Sequence, residues 1–299
     1  VRRVDAQTGI ITTFAGSGTG GDGIPATTSL ILFPFGLAVD SADNLFIAET
    51  AGLIRRVDRQ TGIIDSFAGA FGSTGLGDGG LATAAGLNDP RDVAFDAQGH
   101  LFIADHGNNR IRRVDAQTGI ITTVAGGGTQ VATGIPATDA DLEGPTGLVI
   151  SASGQLYFAC SRAHRIWRVD STTGQLTLIA GRLNGQSGFA GDVGPATEAL
   201  FDEPTRIALD PTERNLFLTD QGNRRIRRIE LRSGFVFPLA GPTFRDVPGA
   251  LAVSPEGRVA YAGPVGMFGH AAVRRILRPV ALRIVEAGLP TATLHRSRR

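Results

Sequence analysis

Lysine is absent from this chain: all 29 basic residues are arginine, set against 28 acidic ones, for a formal net charge of +1. We attribute the missing lysine to coding bias. The charge balance matters more, because a nucleic-acid footprint needs a basic excess gathered on one face. Cysteine occurs once, as Cys160, which excludes an intrachain disulfide and leaves the redox compartment open. No apolar run reaches 18 residues, so the sequence predicts no membrane span. There is no phosphate-cradling loop, no G-x-S-x-G elbow and no Cys/His zinc spacing. An initiator Met and a signal peptide are also missing; the chain starts inside a repeat and is expected to be excised or truncated.

What is abundant is turn chemistry, with 41 Gly and 15 Pro. The stretch 100–128, HLFIADHGNNRIRRVDAQTGIITTVAGGG, shows its use. Three β-branched, apolar runs are separated by the turn formers His106-Gly107-Asn108-Asn109 and Ala116-Gln117-Thr118-Gly119. Such a unit cannot bury its faces alone, so it should recur. The arginine run does, at Val1-Arg2-Arg3-Val4, Ile54-Arg55-Arg56-Val57, Ile111-Arg112-Arg113-Val114, Ile166-Trp167-Arg168-Val169, Ile226-Arg227-Arg228-Ile229 and Val273-Arg274-Arg275-Ile276. A period of roughly 47–60 residues holding four strands predicts propeller blades and overrides the length prior of two domains.

Lettering the strands a to d, strand a falls at 36–40, 92–96, 147–151, 206–210 and 250–254. Strand b falls at 45–49, 101–105, 156–160, 216–220 and 259–262. Strand c falls at 54–58, 111–115, 166–170, 226–230 and 273–277, and d at 63–69, 120–126, 176–181, 235–241 and 281–285. Residues 1–16 supply only c and d of a further blade, and 289–299 form a basic tail. The expectation is one all-β domain over 1–288, a six-bladed propeller with one blade incomplete. A competing arrangement pairs the N-terminal hairpin with 259–262 and closes five blades. The loop from d to the next a also repeats, as Asp22-Gly23-Ile24-Pro25-Ala26-Thr27, Asp78-Gly79-Gly80-Leu81-Ala82-Thr83, Gly134-Ile135-Pro136-Ala137-Thr138 and Asp192-Val193-Gly194-Pro195-Ala196-Thr197. Each is followed by Leu30, Leu87, Leu142 or Leu200, expected to plug the loop onto the blade edges.

The segments NLFIAET and HLFIADHGNNRIRRVD, preceded by P-x-G-[LI]-A-V-D, resemble NHL repeats, and the inserted G-D-G-x-x-A-T loop resembles the long form found in bacterial secreted proteins and the teneurin propeller. That resemblance implies a β-propeller and an extracytoplasmic or secreted setting. Its members include protein-binding, RNA-binding and enzymatic propellers, among them an amidating lyase that uses zinc and histidines. Fold therefore does not fix function.

Candidate sites lie at the end of the blades carrying the b-to-c and d-to-a loops, where length and sequence vary most. Three sets stand out. Strand b ends in Glu49, Asp105, Cys160, Asp220 and, less well matched, Gly263, and the three carboxylates among them either hold a cation or cap the backbone N–H groups of their own turns. His106, His164 and His270 follow strand b at different offsets, and are weak candidates for a metal that the lyase resemblance implies. The entry to strand a departs from P-x-G at Pro90-Arg91-Asp92 and Pro204-Thr205-Arg206, with Asp89, Glu143, Asp202, Glu203 and Asp246 close by. Arg91, Asp92, Arg206, Glu143 and Asp202, with the three carboxylates of strand b, are the predicted ligand-binding residues. The strand-c arginines Arg55, Arg112 and Arg227, with Asp58, Asp115 and Glu230 nearby, are expected to snorkel their stems and to pair from blade to blade. The sequence thus favours a non-catalytic scaffold for a protein or glycan partner, with no nucleic acid and no cofactor; the alternative is a metal-assisted lyase or hydrolase.

Overall fold

A computed structural model describes residues 1–73, 75–241, 249–265, 270–275 and 285–286. They fall into two compact units: Val1–Leu156 with Val169–Leu176 and Ala281–Gly288, and Tyr157–Arg168 with Thr177–Val280 and Leu289–Arg299.

In the first unit, repeat one is a five-stranded antiparallel sheet in the order Ile24–Pro25, Ile63–Ala68, Leu53–Val57, Leu45–Glu49, Pro34–Val39. Repeat two has four strands, Ile121–Gly126, Arg110–Val114, Leu101–Asp105 and Pro90–Phe95. Strand b of repeat one is buried along its whole length, which is why its sequence reads as a continuous apolar run. Phe46 anchors the core of this unit, edge-on to both Phe67 and Phe95 at 4.8 Å between centroids. The hairpin Arg2–Val4 and Ile11–Thr13 gains a third strand, Val285–Glu286, with Arg3 opposite Val285. Val285, expected in strand d of the fifth repeat, instead pairs with the first strand of the chain.

The second unit contains the sheet Gly194–Pro195, Phe235–Ala240, Arg225–Glu230, Asn215–Asp220, Pro204–Leu209. It also holds the three strands Ala250–Val253, Val259–Val265 and His270–Arg275. Val259 pairs with Val253 and Ala260 with Arg275, so both edges of this strand are taken and the five-blade pairing is not adopted. The strands Pro145–Ile150, Leu156–Cys160, Arg165–Val169 and Gln175–Ala180 repeat the same lengths. Asp246 and the tail 289–299 lie outside the described residues.

The repeated d-to-a loop is architectural. Ile24 and Pro25 pair with Ile64 and Ile63, adding a short strand that covers the outer edge of the blade. Gly194 and Pro195 do the same against Val236 and Phe235. The alanine of each motif is then buried in a single 3-10 turn. Its amide donates to the glycine carbonyl of a c-to-d turn: Ala26 to Gly62, Ala82 to Gly119, Ala137 to Gly174 and Ala196 to Gly234, at 2.8–2.9 Å. The plug leucines are buried at Leu87 and Leu142, whereas Leu30 stays 44% exposed. Strand d ends in Ala-Gly for a steric reason. At φ +84°, a Cβ on Gly126 would collide with the carbonyl oxygen of Asn109, and Gly69 and Gly181 face the same clash.

The c-to-d turns are nearly identical. Asp58 Oδ1 accepts the amides of Gln60 and Thr61 and the Thr61 hydroxyl at 2.9–3.0 Å, and Asp5, Asp115 and Asp170 repeat the pattern. The Thr61 amide, together with its hydroxyl, holds the Asp58 carboxyl below its ordinary value.

Candidate functional site

The carboxylate that ends strand b is buried in each of the three repeats that carry one. Glu49, Asp105 and Asp220 are 2%, 0% and 0% exposed. Each accepts a backbone amide from the segment entering strand a of its own repeat: Leu32 on Glu49 at 3.1 Å, Asn88 on Asp105 at 2.8 Å, Asp202 on Asp220 at 2.7 Å. Each also faces a strand-c arginine, Arg55, Arg112 or Arg227, at 3.3–3.4 Å. That arginine continues to the aspartate of the d-to-a loop motif, Asp22, Asp78 or Asp192, at 2.5–2.7 Å. It also donates to loop carbonyls, such as Leu76 for Arg112 and Leu200 for Arg227. A buried guanidinium between two carboxylates therefore pins the loop to the blade. Among the described residues the strand-b carboxylates do not cap the backbone N–H groups of their own turns, the structural alternative drawn from the sequence; from those turns they accept only side-chain amides, Asn108 on Asp105 and Asn223 on Asp220.

Arg55, Arg112 and Arg227 do not snorkel, since they are buried to 4%, 0% and 0% exposure. The next residues, Arg56 and Arg113, are half-buried, each 3.1 Å from Asp58 or Asp115. Burial pushes the Asp105 and Glu49 carboxyls up from their ordinary values, against the amide and arginine bonds that favour ionisation. Asp220 is pushed up to about 6 by the same desolvation.

The third repeat replaces the set. Thr133 stands where the loop aspartate stands, Cys160 where the strand-b carboxylate stands and Trp167 where the arginine stands. Cys160 and Trp167 are buried, at 0% and 1%. All three charges have gone together, which is how a low-dielectric site must change: any one charge left behind would be unpaired. The loop aspartates were not singled out from the sequence, and this joint replacement was the signal that could have found them.

The histidines serve the same framework. His164 has φ +55° and its Nδ1 accepts the amide of Glu203 at 3.1 Å. Asn109, at φ +53°, uses Oδ1 in the same way on the amide of Gly144 at 2.9 Å. An accepting Nδ1 puts the proton of neutral His164 on Nε2, the nitrogen a metal would need. His106 is buried, with Nδ1 3.1 Å from the carbonyl of Pro145 and Nε2 3.9 Å from Asp89. His270 begins a strand, opposite Val265, and is not in a loop. Among the described residues no three His, Cys, Asp or Glu side chains gather as a metal-binding group.

At the entry to strand a, Asp92 is nearly buried. It packs against Gly36, whose missing Cβ makes the room, and accepts the amide of Leu148 at 3.2 Å. Arg206 donates its backbone amide to the Thr219 hydroxyl at 2.9 Å. Asp202 packs against Gly222 as Asn88 packs against Gly107, and Glu143 is half-buried. Arg91 is 28% exposed, holds Asp89 through Nε and Nη2 at 3.0 and 2.8 Å, and lies 5.3 Å from the Phe35 ring centroid. The residue before each entry proline takes a left-handed conformation: Phe33, Asp89, Gly144 and Glu203 have φ between +48° and +65°. Phe33 is bulky and 75% exposed in that conformation.

Residues 70–138 match the model of the teneurin NHL domain. The chain is 29% identical over 252 residues to the NHL repeat-containing protein 2 of Gallus gallus, covering 74% of this chain and 34% of that protein. It is 29% identical over 263 residues to teneurin-3 of Danio rerio, covering 76% of this chain and 9% of the relative. The chain thus spans about a third or less of the length of these relatives. Among solved structures it superposes on a streptogramin B lyase with a TM-score of 0.54 at 17% identity, covering 86% of this chain and 72% of that one. A gluconolactonase of Xanthomonas campestris gives 0.55 at 18%, covering 81% and 72%. These two likenesses concern the fold alone. With the repeated four-stranded sheets and the segments quoted above, the chain carries an NHL-repeat domain of the all-β, propeller type.

Proposed function

We propose that this domain is a non-catalytic recognition scaffold whose partner, a protein or a glycan, docks on the end of the blades formed by the b-to-c and d-to-a loops. One observation carries this. The acids at that end which could have done proton chemistry, Glu49, Asp105 and Asp220, are locked against arginine and backbone amides, while the exposed groups there differ from repeat to repeat. Phe33 and Phe71 are 75% and 77% exposed. The opposite end carries the a-to-b and c-to-d turns, and turns such as Asp58 to Gly62 and Asp115 to Gly119 satisfy their own polar groups. Large exposed aromatics on a rigid frame are the feature of binding surfaces.

A comparison of three immobilised proteins tests this: wild type, Phe33→Glu/Phe71→Glu, and Gln60→Glu/Gln117→Glu on the opposite turns. Each is presented to a glycan array and to fractionated extracellular proteins. Ligands retained by wild type should be lost by the phenylalanine variant and kept by the glutamine variant. The reverse pattern refutes the proposal.

A further inference from the structure

We infer that the entry segments of repeats one and two form a subsite for a neutral saccharide, with Phe33 as the stacking surface and the Asp89–Arg91 pair as the hydroxyl-binding group. This inference rests on the recognition reading and specifies its ligand.

The first support is strain. A phenylalanine at φ +49° is uncomfortable, because its Cβ crowds the backbone in the left-handed region that glycine and asparagine enter readily. The equivalent positions of other repeats hold Asp89, Gly144 and Glu203. Nothing in the fold calls for an aromatic ring there, and the ring is 75% exposed. Packing therefore does not repay the strain.

The second is the open valence of the neighbouring pair. Arg91 spends Nε and Nη2 on Asp89 Oδ2. Among the described residues Nη1 of Arg91 and Oδ1 of Asp89 have no partner. The pair is neutral overall, leaves three guanidinium N–H donors and Asp89 Oδ1 as an acceptor, and is 28% exposed on both sides. His106 Nε2 lies 3.9 Å from Asp89 Oδ2. The strands carrying these groups are adjacent: Gly36, three residues after Phe33, packs directly on Asp92, three residues after Asp89. Phe33 and Asp89 thus occupy matching places on neighbouring strands. A vicinal diol both donates and accepts, which fits a carboxylate oxygen beside a guanidinium nitrogen. The apolar face of a pyranose ring fits an exposed aromatic. A charged peptide would have to break the Asp89–Arg91 pair, so a neutral ligand is favoured.

The replacement Phe33→Trp keeps a stacking surface and adds a reporter, since the only tryptophan of the chain, Trp167, is buried at 1%. Its fluorescence is titrated with maltohexaose, cellohexaose, xylohexaose and chitohexaose up to about 10 mM, the range of single weak subsites. At least one should give a saturable change, weakened about tenfold or more by Asp89→Asn or Arg91→Gln, the loss of one charged hydrogen bond. Asn tolerates the left-handed backbone, so the first variant keeps the fold. Phe33→Asn should raise the melting temperature yet abolish saccharide binding in saturation-transfer NMR, a pattern that a structural phenylalanine would not produce. No response to any of the four sugars, or a response indifferent to Asp89→Asn and Arg91→Gln, overturns the inference. If the sugars fail while the Phe33→Glu/Phe71→Glu variant still loses protein ligands, the saccharide assignment falls and the recognition scaffold stands.

Discussion

Replacing Arg112 by Met should be among the most damaging single changes in repeat two, and copying the third repeat should rescue it. Arg112 is fully buried and lies 3.3 Å from Asp105 and 2.7 Å from Asp78. Removing it strands the Asp105 charge with only the Asn88 amide and the Asn108 side chain, a loss of about 3–5 kcal/mol. The native arrangement is itself imperfect, because Arg112 Nε is buried without a hydrogen-bond partner among the described residues. An unmet donor of that kind costs about 1–3 kcal/mol, so the charged set is not far above an apolar one in stability. The triple change Asp78→Thr, Asp105→Cys, Arg112→Trp transplants the set found at Thr133, Cys160 and Trp167. It should lie within about 1–2 kcal/mol of wild type, giving a coupling of at least about 2 kcal/mol relative to the singles. Urea unfolding measures the size, and hydrogen exchange at Leu101–Asp105 localises it. Acidity adds a second check. Burial already raises the Asp105 carboxyl, and without arginine it rises further. A folded value above the unfolded one means that stability falls as pH rises between the two, so the Arg112→Met defect should shrink in acid. A triple variant that loses the sum of the single losses, or an Arg112→Met loss under about 1 kcal/mol, would refute the idea of a mutually dependent buried charge set.

Much of the fold was legible because propeller strands announce themselves through turn chemistry at a fixed period. The apolar run Leu101–Asp105 and the turn Asp115 to Gly119 are local signals, and local signals survive in a single sequence. The fate of Val285 was not legible, because its partner, Arg3, lies at the far end of the chain. The strand-c arginines were misjudged for a related reason. Alternation along the strand shows that Arg112 and Arg113 face opposite ways, but which of them is buried depends on Asp78, more than thirty residues earlier in the chain, crossing the strand. For the site, grouping the departures from P-x-G at Arg91 and Asp92 merged two different jobs. Asp92 fills the space left by Gly36, and Arg91 alone reaches solvent, held by Asp89. Backbone conformation separates them, and φ at Phe33 and Asp89 is not written in residue type.

Two further outcomes are expected. Asp220, pushed up to about 6 from an ordinary 3.8, makes the folded state bind its proton more tightly than the unfolded chain does. Its contribution therefore declines as pH rises from about 4 to 6, by about 3 kcal/mol in full, and Asp220→Asn should give a shallower loss of urea stability over that window. An unchanged slope would mean that Arg227 keeps this carboxyl ionised. The last concerns His164, whose Nδ1 does for Glu203 what Asn109 Oδ1 does for Gly144. His164→Asn keeps both the acceptor and a side chain suited to φ +55°, so it should melt within about 1 kcal/mol of wild type. His164→Val loses the acceptor and places a β-branched residue where φ is positive, and should cost about 2–4 kcal/mol. If His164→Asn and His164→Val were equally damaging in thermal melts, the imidazole would be supplying something that an amide cannot, and a role beyond framing the strand entry would have to be sought for it.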